Sequence, residues 1–410
     1  MPKTIFLALL SVLLVGSVIL QPDASFQASL QGLTVWWNIV FPGLLPFLVL
    51  YEIMLAFGLA HAAGALLQPA MQRIFKLPGE AALAIVFGWM GGYPAGSEAV
   101  ASLRKRELLS KAQGQRLLAY AHMPNPLFML VVIGAGFLQK PLAGLFIAVS
   151  VWASALWLLL LGSVFGNSST QSEHGKNAAK APQTGVARRM AHALQEGREQ
   201  DGRSFGKVLG DSVAAGVQKL MLVGGFMIFA SVLAKLTEPL LAPLVKGAFS
   251  LSFLGPAVFE SHLGAYAASI WHAPGANIAF ACALIAAIVA WSGLGGILQT
   301  GYAIAGTDLK LLPFAAHRLN HSLHAFLLTL LLWEPMMLLV QKLVPNGSFP
   351  VILSGQYYPA SIGSALPAAP MTMDAMPAIW PYSVGAAAIL FAAALTAYWL
   401  ARPRTFSRIS

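Results

Sequence analysis

Apolar runs follow one another along this chain with little between them, at residues 4–20, 35–60, 81–100, 117–138, 141–165, 208–235, 248–271, 275–305, 311–345 and 382–401. A helix needs about 20 apolar residues to cross the hydrocarbon core of a bilayer. Runs of this length leave room for about 8 to 11 crossings or partial crossings. Only 10% of the 410 residues are charged, and the mean hydropathy is +0.70. Soluble domains carry about a quarter charged residues, and so few charges cannot cover a wetted surface. The expected fold is therefore an all-α polytopic membrane protein, with the lipid bilayer as its first partner.

The net charge of +10 sits in a few short segments. In a membrane chain such a bias sets orientation and attracts anionic headgroups. No basic domain stands clear of the apolar runs, so a nucleic-acid partner is excluded. Cys282, the single cysteine, lies in an apolar run. It supports neither a disulfide framework nor a thiolate metal site and reads as a packing residue. The first run, 4–20, lacks a small-x-small cleavage pattern before Gln21-Pro22-Asp23 and is read as a retained span rather than a signal peptide.

Lys3, Arg73, Lys76, Arg104, Lys105, Arg106, Arg188 and Arg189 are expected to share the cytoplasmic face. That arrangement holds only if segment 81–100 enters and returns on the same side. Gly88-Trp-Met-Gly-Gly-Tyr-Pro-Ala-Gly-Ser97 is too rich in glycine and proline for a continuous helix, so a broken, re-entrant hairpin is expected. Non-helical backbone at membrane depth persists only where protein or a water-filled cavity satisfies its polar groups. The stretch 167–203 is polar, with few large apolar residues, and reads as a mobile loop. Segment 311–345 is long enough for one span or two.

An internal duplication is suggested by an offset of 202 residues, which carries Trp89-Met-Gly91 onto Trp291-Ser-Gly293, Arg116-Leu117 onto Arg318-Leu319 and His122 onto His324. An odd number of crossings between the copies would invert them. Inverted repeats whose broken helices meet near the midplane are a common plan of secondary transporters.

Ionisable groups inside apolar runs cost about 2.5–3.5 kcal/mol each on insertion scales, so each needs a partner or a function. In the first copy these are Glu98, Arg116 and His122. Gly92, Pro94 and Ser97 join the candidate site as part of the broken segment. Asn125, in Met123-Pro-Asn-Pro126, either contacts a solute or repairs a proline kink. In the second copy Glu260, Ser261 and His262 follow a Gly-Pro break, and Ser292 and Gln299 lie in or beside a glycine-rich element. His317, His321 and His324 share a helix face beside Arg318. A metal site there lacks a carboxylate in sequence. A proton-sensitive or anion-binding face and a headgroup interface remain open. Glu52 is either a helix-pairing residue or part of a solute path. No nucleophile elbow, phosphate-binding glycine loop or nucleotide fingerprint occurs, so neither an enzyme nor a cofactor is expected.

At these residues the chain resembles the YlbJ (SpoVV) family of sporulation integral membrane proteins, part of a larger group sharing the gate domain of concentrative nucleoside transporters. The resemblance rests on Pro22-Asp-Ala-Ser-Phe-Gln-Ala-Ser29, Trp36-Trp37, Phe41-Pro-Gly-Leu-Leu-Pro-Phe47, Gly92-Tyr-Pro-Ala-Gly96, Asn125-Pro-Leu-Phe128 and Trp291-Ser-Gly-Leu294. It covers nearly the whole chain. It implies a first gate-like repeat over 33–166 and a second over 207–345. An N-terminal helix (1–32), a cytoplasmic polar loop (167–206) and a Pro-rich loop with a last span (346–410) complete the organisation. It also implies a spore-forming bacterium and movement of dipicolinic acid from the mother cell toward the forespore across the outer forespore membrane.

A planar dianion would use Arg116, Arg318 and the histidine face as its partners. A nucleoside would instead use Glu260, Gln299 and Asn125 to hold ribose hydroxyls. A third reading, a scaffold for assembling the spore envelope, makes loop 167–203 essential and the interior polar groups dispensable.

Overall fold

The computed structural model describes residues 2–164, 185–245, 251–271 and 277–343. All regular elements among them are helical. Five helical stretches, 22–56, 141–162, 205–241, 278–303 and 311–340, are long and apolar enough to cross a membrane. The expected spans at 382–401 and the Pro-rich segment 346–381 lie outside the described residues.

Helix α1 (Pro2–Leu20) leads to α2 (Pro22–Val35), which runs through a π-helical stretch, Trp36–Val40, into α3 (Phe41–Ala56). A π-turn carries one extra residue and rotates the faces on either side of it. Here it aims the Trp36 indole at α10 (Phe205–Val245), where Nε1 donates to the Leu220 carbonyl at 2.9 Å. Glu52 of α3 pairs with Lys219 of α10, so this carboxylate joins two helices. The loop expected over 167–203 contains α9 (Val186–Asp201), whereas 165–184 lie outside the described residues. It packs on α4 (Leu59–Arg73), with Met190 and Ala193 half-buried and Gly197 buried: a Cβ at Gly197 would touch the Gly58 Cα and His61. Composition hid this helix because only Gly197 is fully buried, while Arg188, His192, Gln195, Glu196 and Glu199 are exposed and dominate the average.

The remaining helices form a pattern that occurs twice. First comes a helical hairpin of two short arms packed against each other, α5 (Ala81–Gly91) with α6 (Ala95–Lys105), and later α11 (Leu254–Phe259) with α12 (Ser261–Ser269). A broken span follows: α7 (Lys111–Ala121) then the π-helical Phe128–Phe137, and later α13 (Ile278–Trp291) then α14 (Gly293–Ala303). A long helix closes each unit, α8 (Pro141–Val164) and α15 (Leu311–Leu343). Segment 311–343 is thus one helix. Equivalent boundaries differ by 170 residues: α7 ends at Ala121 and α13 at Trp291, and α8 begins at Pro141 and α15 at Leu311. The offset of 202 suggested by the tryptophans therefore does not pair equivalent positions. It would overlay the folded-back arms α5 and α6 on α13 and α14, which run on as a single span from 278 to 303.

The first hairpin depends on glycine at close approach. A Cβ at Gly88 or Gly96 would lie 1.7 or 1.9 Å from the Ala121 carbonyl oxygen, so only hydrogen at both positions lets the two arms clasp the end of α7. Between the arms, Gly92 takes φ +80, a left-handed conformation open to glycine without strain. Ser110 opens α7 with a capping box: its hydroxyl accepts from the Gln113 amide, and the Gln113 side chain accepts from the Ser110 amide at 2.9 Å. Core side chains cluster in two groups. One surrounds the broken spans, α8 and α13, with Met123, Phe128, Ile147, Ile285 and Val289. The other lies beneath the first hairpin, with Ala84, Val100, Leu117 and Phe314.

Candidate functional site

The four interruptions converge. Each leaves helix-end amides and carbonyls without intrahelical partners, and at membrane depth these must be met by protein. Arg318 of α15 meets several of them. Fully buried, it donates from Nη1 to the carbonyls of Ala119 (3.3 Å) and His122 (2.8 Å) at the end of α7, and from Nη2 to the Ala290 carbonyl at the end of α13. A guanidinium at two helix C-termini also complements both helix dipoles. Both Nη groups are thus bonded to backbone, whereas the buried Nε has no hydrogen-bond partner among the described residues, and the guanidinium positions both breaks.

The ring of His122, at the break after α7, is held on two faces. The Tyr93 ring stacks on it with centroids 4.9 Å apart, and Phe314 meets it edge-on at 5.0 Å. Its Nδ1 lies 3.1 Å from the Ser97 hydroxyl and 3.0 Å from the Thr300 hydroxyl, and those hydroxyls are 3.0 Å apart. Ser97 comes from the first hairpin and Thr300 from the second broken span, so this triangle joins the two units. A second junction joins the hairpin tips: the Tyr93 and Ser261 hydroxyls are 2.6 Å apart. Glu260, the one buried carboxylate among the described residues, follows directly. It accepts from the Leu263 amide at 2.7 Å as the N-cap of α12, and lies 2.5 Å from His262 Nδ1. Phe128, from the first broken span, packs against the His262 ring at 4.2 Å. The result is a layer of hydroxyl, imidazole and carboxylate groups inside an apolar body, with partners drawn from both units.

Of the residues singled out in the sequence, Gly92, Pro94, Ser97, Asn125, Glu260, Ser261, Ser292 and Arg318 lie at or beside these breaks. Asn125 Nδ2 donates to the Met90 carbonyl at 3.2 Å and its Oδ1 accepts from the Leu127 amide at 2.8 Å. The oxygen thus serves the kink itself, and the nitrogen ties the break to the end of α5. Glu98 is exposed, one position past the inward Ser97. Arg116 is outside the cluster, donating to the Leu159 carbonyl at 3.0 Å and tying α7 to α8. Gln299 is half-buried, whereas its neighbour Thr300 faces the cluster.

The histidine face of α15 does not act as a unit. His321 is buried with Nε2 3.1 Å from the Val151 carbonyl, His324 is half-buried and bonds the Asn320 carbonyl at 2.9 Å, and His317 lies near the Tyr120 ring. Among the described residues no group of three or more His, Cys, Asp or Glu side chains gathers as a metal site. Sequence reasoning did not place Tyr93 and Thr300 in the site. The signal for Tyr93 was its position between Gly92 and Pro94 at a hairpin tip, and for Thr300 its place two turns past the break at Ser292.

An all-helical body in which hairpins and broken spans meet at a buried polar layer defines a polytopic membrane protein of the gate type. A family model described as "Gate: Nucleoside recognition" matches residues 38–166, from the π-turn before α3 past the end of α8. The chain is 32% identical over 347 residues, 82% of its own length and 84% of the relative's, to the "Sporulation integral membrane protein YlbJ" of Bacillus subtilis (strain 168). It belongs to the YlbJ family of sporulation integral membrane proteins. No solved structure matches it.

Proposed function

We propose that this protein is a carrier for a small polar solute, gated by separation of its two hairpin tips. The observation that supports this most directly is the Tyr93–Ser261 contact of 2.6 Å beside the Ser97–His122–Thr300 triangle, on whose imidazole the Tyr93 ring stacks. Few hydrogen bonds join the tips to each other, and each is worth about 0.5–1.5 kcal/mol net, small enough for a solute to replace. The two units run in opposite senses if α10 crosses once, so each hairpin would open toward a different face, as alternating access requires.

Dipicolinate is the first solute proposed, carried toward the forespore across its outer membrane, on the resemblance to the YlbJ family. Because both Nη groups of Arg318 are bonded to backbone carbonyls and Arg116 lies elsewhere, the dianion would be met chiefly by imidazole and hydroxyl donors of His122, His262, Ser97 and Thr300. A nucleoside is the second reading, favoured by the buried acceptor Glu260 and by the description of the matching family model. Thermal-shift titration of purified protein, followed by uptake into vesicles, tests both. Stabilisation and saturable uptake of one solute, blocked by its own excess, is expected. Absence of both for dicarboxylates and nucleosides would remove the carrier reading.

A further inference from the structure

Helix α9 is joined to the rest of the chain at the membrane boundary. Its last residue, Asp201, stands just before Phe205, the first residue of span 205–241, and Gly202 between them turns the chain at φ +65. The turn is braced. Asp201 accepts from Arg203 Nη2 at 2.6 Å, Arg203 Nη1 donates to Asp211 at 2.8 Å, and Arg198 Nη2 donates to the Arg203 carbonyl at 2.6 Å. The Arg198 guanidinium also lies 4.9 Å over the ring of Phe57, just past the end of span 22–56. Two spans therefore reach the boundary at this turn, whereas neither α9 nor its partner α4 is long and apolar enough to cross.

At about 100° per residue, the surface of α9 sorts into strips. Met190 and Ala193 share the face on which Gly197 meets Gly58 and His61. Ala187, Ala191 and Leu194, at i, i+4 and i+7, are apolar yet exposed, Leu194 at 40%. Next around the helix come Arg188, His192, Gln195 and Glu199, all exposed. An exposed apolar strip between a packed face and a polar one suits a helix lying flat in the membrane interface. Beyond the turn, the exposed apolar surface resumes at Phe205 and Leu209, 59% and 41% exposed, in the first turns of span 205–241.

Charge favours phospholipid as the occupant. Glu196 lies beside His192, Glu199 accepts from Gln195, and Asp201 is held by Arg203. Arg188 and Arg189 have no acidic partner among the described residues, and the buried Nε of Arg189 has no hydrogen-bond partner there. We propose that α9 is an in-plane membrane anchor, with Ala187, Ala191 and Leu194 against acyl chains and Arg188 and Arg189 on lipid phosphates. The anchor requires only that the chain spans a membrane, not that it carries a solute.

The test uses full-length protein carrying Leu194→Cys or Gln195→Cys, each labelled with an environment-sensitive fluorophore; Cys282 is buried and stays unlabelled. The protein is reconstituted in vesicles of phosphatidylcholine, alone or mixed with phosphatidylglycerol. A nitroxide on the upper acyl chain is expected to quench the label at 194, and aqueous iodide the label at 195. Replacing both arginines, Arg188→Gln with Arg189→Gln, should raise the phosphatidylglycerol needed for half-maximal lipid quenching at 194 by about fivefold or more, since one arginine near an anionic surface is worth about that factor. Arg188→Gln alone, at an exposed position, repeats the measurement without touching packing. Equal loss of lipid quenching in phosphatidylcholine alone would identify the phosphate itself, rather than net lipid charge, as the ligand. Iodide quenching at both positions without lipid quenching places α9 in water and overturns the anchor. Shielding of 194 from both quenchers assigns the strip to a protein partner and overturns it equally. Lipid quenching unaffected by either arginine variant overturns the phosphate contacts.

Discussion

The Tyr93 hydroxyl lies 2.6 Å from the Ser261 hydroxyl, joining the tip of one helical hairpin to the tip of the other. Tyr93→Phe removes that bond and keeps the ring stacked on His122. The expected stability loss is about 1 kcal/mol. Amide hydrogen exchange across residues 254–269 should rise, because that hairpin loses its tie. Unaltered protection there would show that the contact does not hold the tips together.

Arg318 is a structural clamp at both breaks. Arg318→Ala leaves the carbonyls of Ala119, His122 and Ala290 unpaired in a buried setting, at a cost of about 1–3 kcal/mol for each. A role in solute contact alone would leave this variant folded; its bonds to both breaks predict loss of folded protein. Fluorescence-detected size exclusion reads the difference. A monodisperse, wild-type-like Arg318→Ala profile would contradict it.

Gly96→Ala should destabilise the first hairpin. Its methyl would lie 1.9 Å from the Ala121 carbonyl oxygen, so backbone must move. Overpacking of this kind costs about 1–3 kcal/mol. A thermal melt of the variant measures it, and an unchanged midpoint would mean that the arms are further apart than described.

On the face where α6–α7 meets α14–α15, Arg104 holds Asp308 through two bonds, 2.9 and 3.0 Å, beside the reciprocal Gln115–Lys310 pair. The Arg104 hydrogen bond holds the Asp308 carboxyl below its usual range. A group whose folded pKa is depressed stabilises fully above its unfolded pKa, about 3.9 for Asp, and loses that contribution as pH falls through the folded value. Melting midpoints followed from neutral to below pH ~4 should therefore fall less steeply in Asp308→Asn than in wild type. The effect is small, as for other partly exposed pairs. Parallel curves would assign no linkage to this pair.

Cys282 is fully buried on α13. A maleimide should label it only on unfolding, so the rate of labelling reports global opening. Rapid labelling of folded protein would place α13 at a surface.

Much of this was legible in residue order. The apolar runs named the helices, and Gly92–Pro94 named the first hairpin, because glycine and proline clustered together break a helix where the single Pro46, Pro69 and Pro335 are carried within one. Asn125 was left between a solute contact and a kink repair, and the structure shows its amide bonded at both ends to backbone. Helix α9 was missed because one small-residue stripe against Gly58 does not alter a polar average. The 202-residue offset misled because tryptophan and arginine recur for separate local reasons: Trp89 Nε1 serves the Tyr120 carbonyl, and Trp291 Nε1 reaches Val258.

What the order of residues determined by itself was the solvent this chain requires and the places where its helices must break, since both follow from local side-chain chemistry. Which broken end faces which was decided by packing across contacts of long sequence separation. Ser97 meets Thr300, Tyr93 meets Ser261, and Arg318 reaches back to Ala119. A one-residue step around a helix turns a side chain by about 100°, so Ser97 enters the polar layer while Glu98 leaves it, and only the assembled bundle distinguishes them.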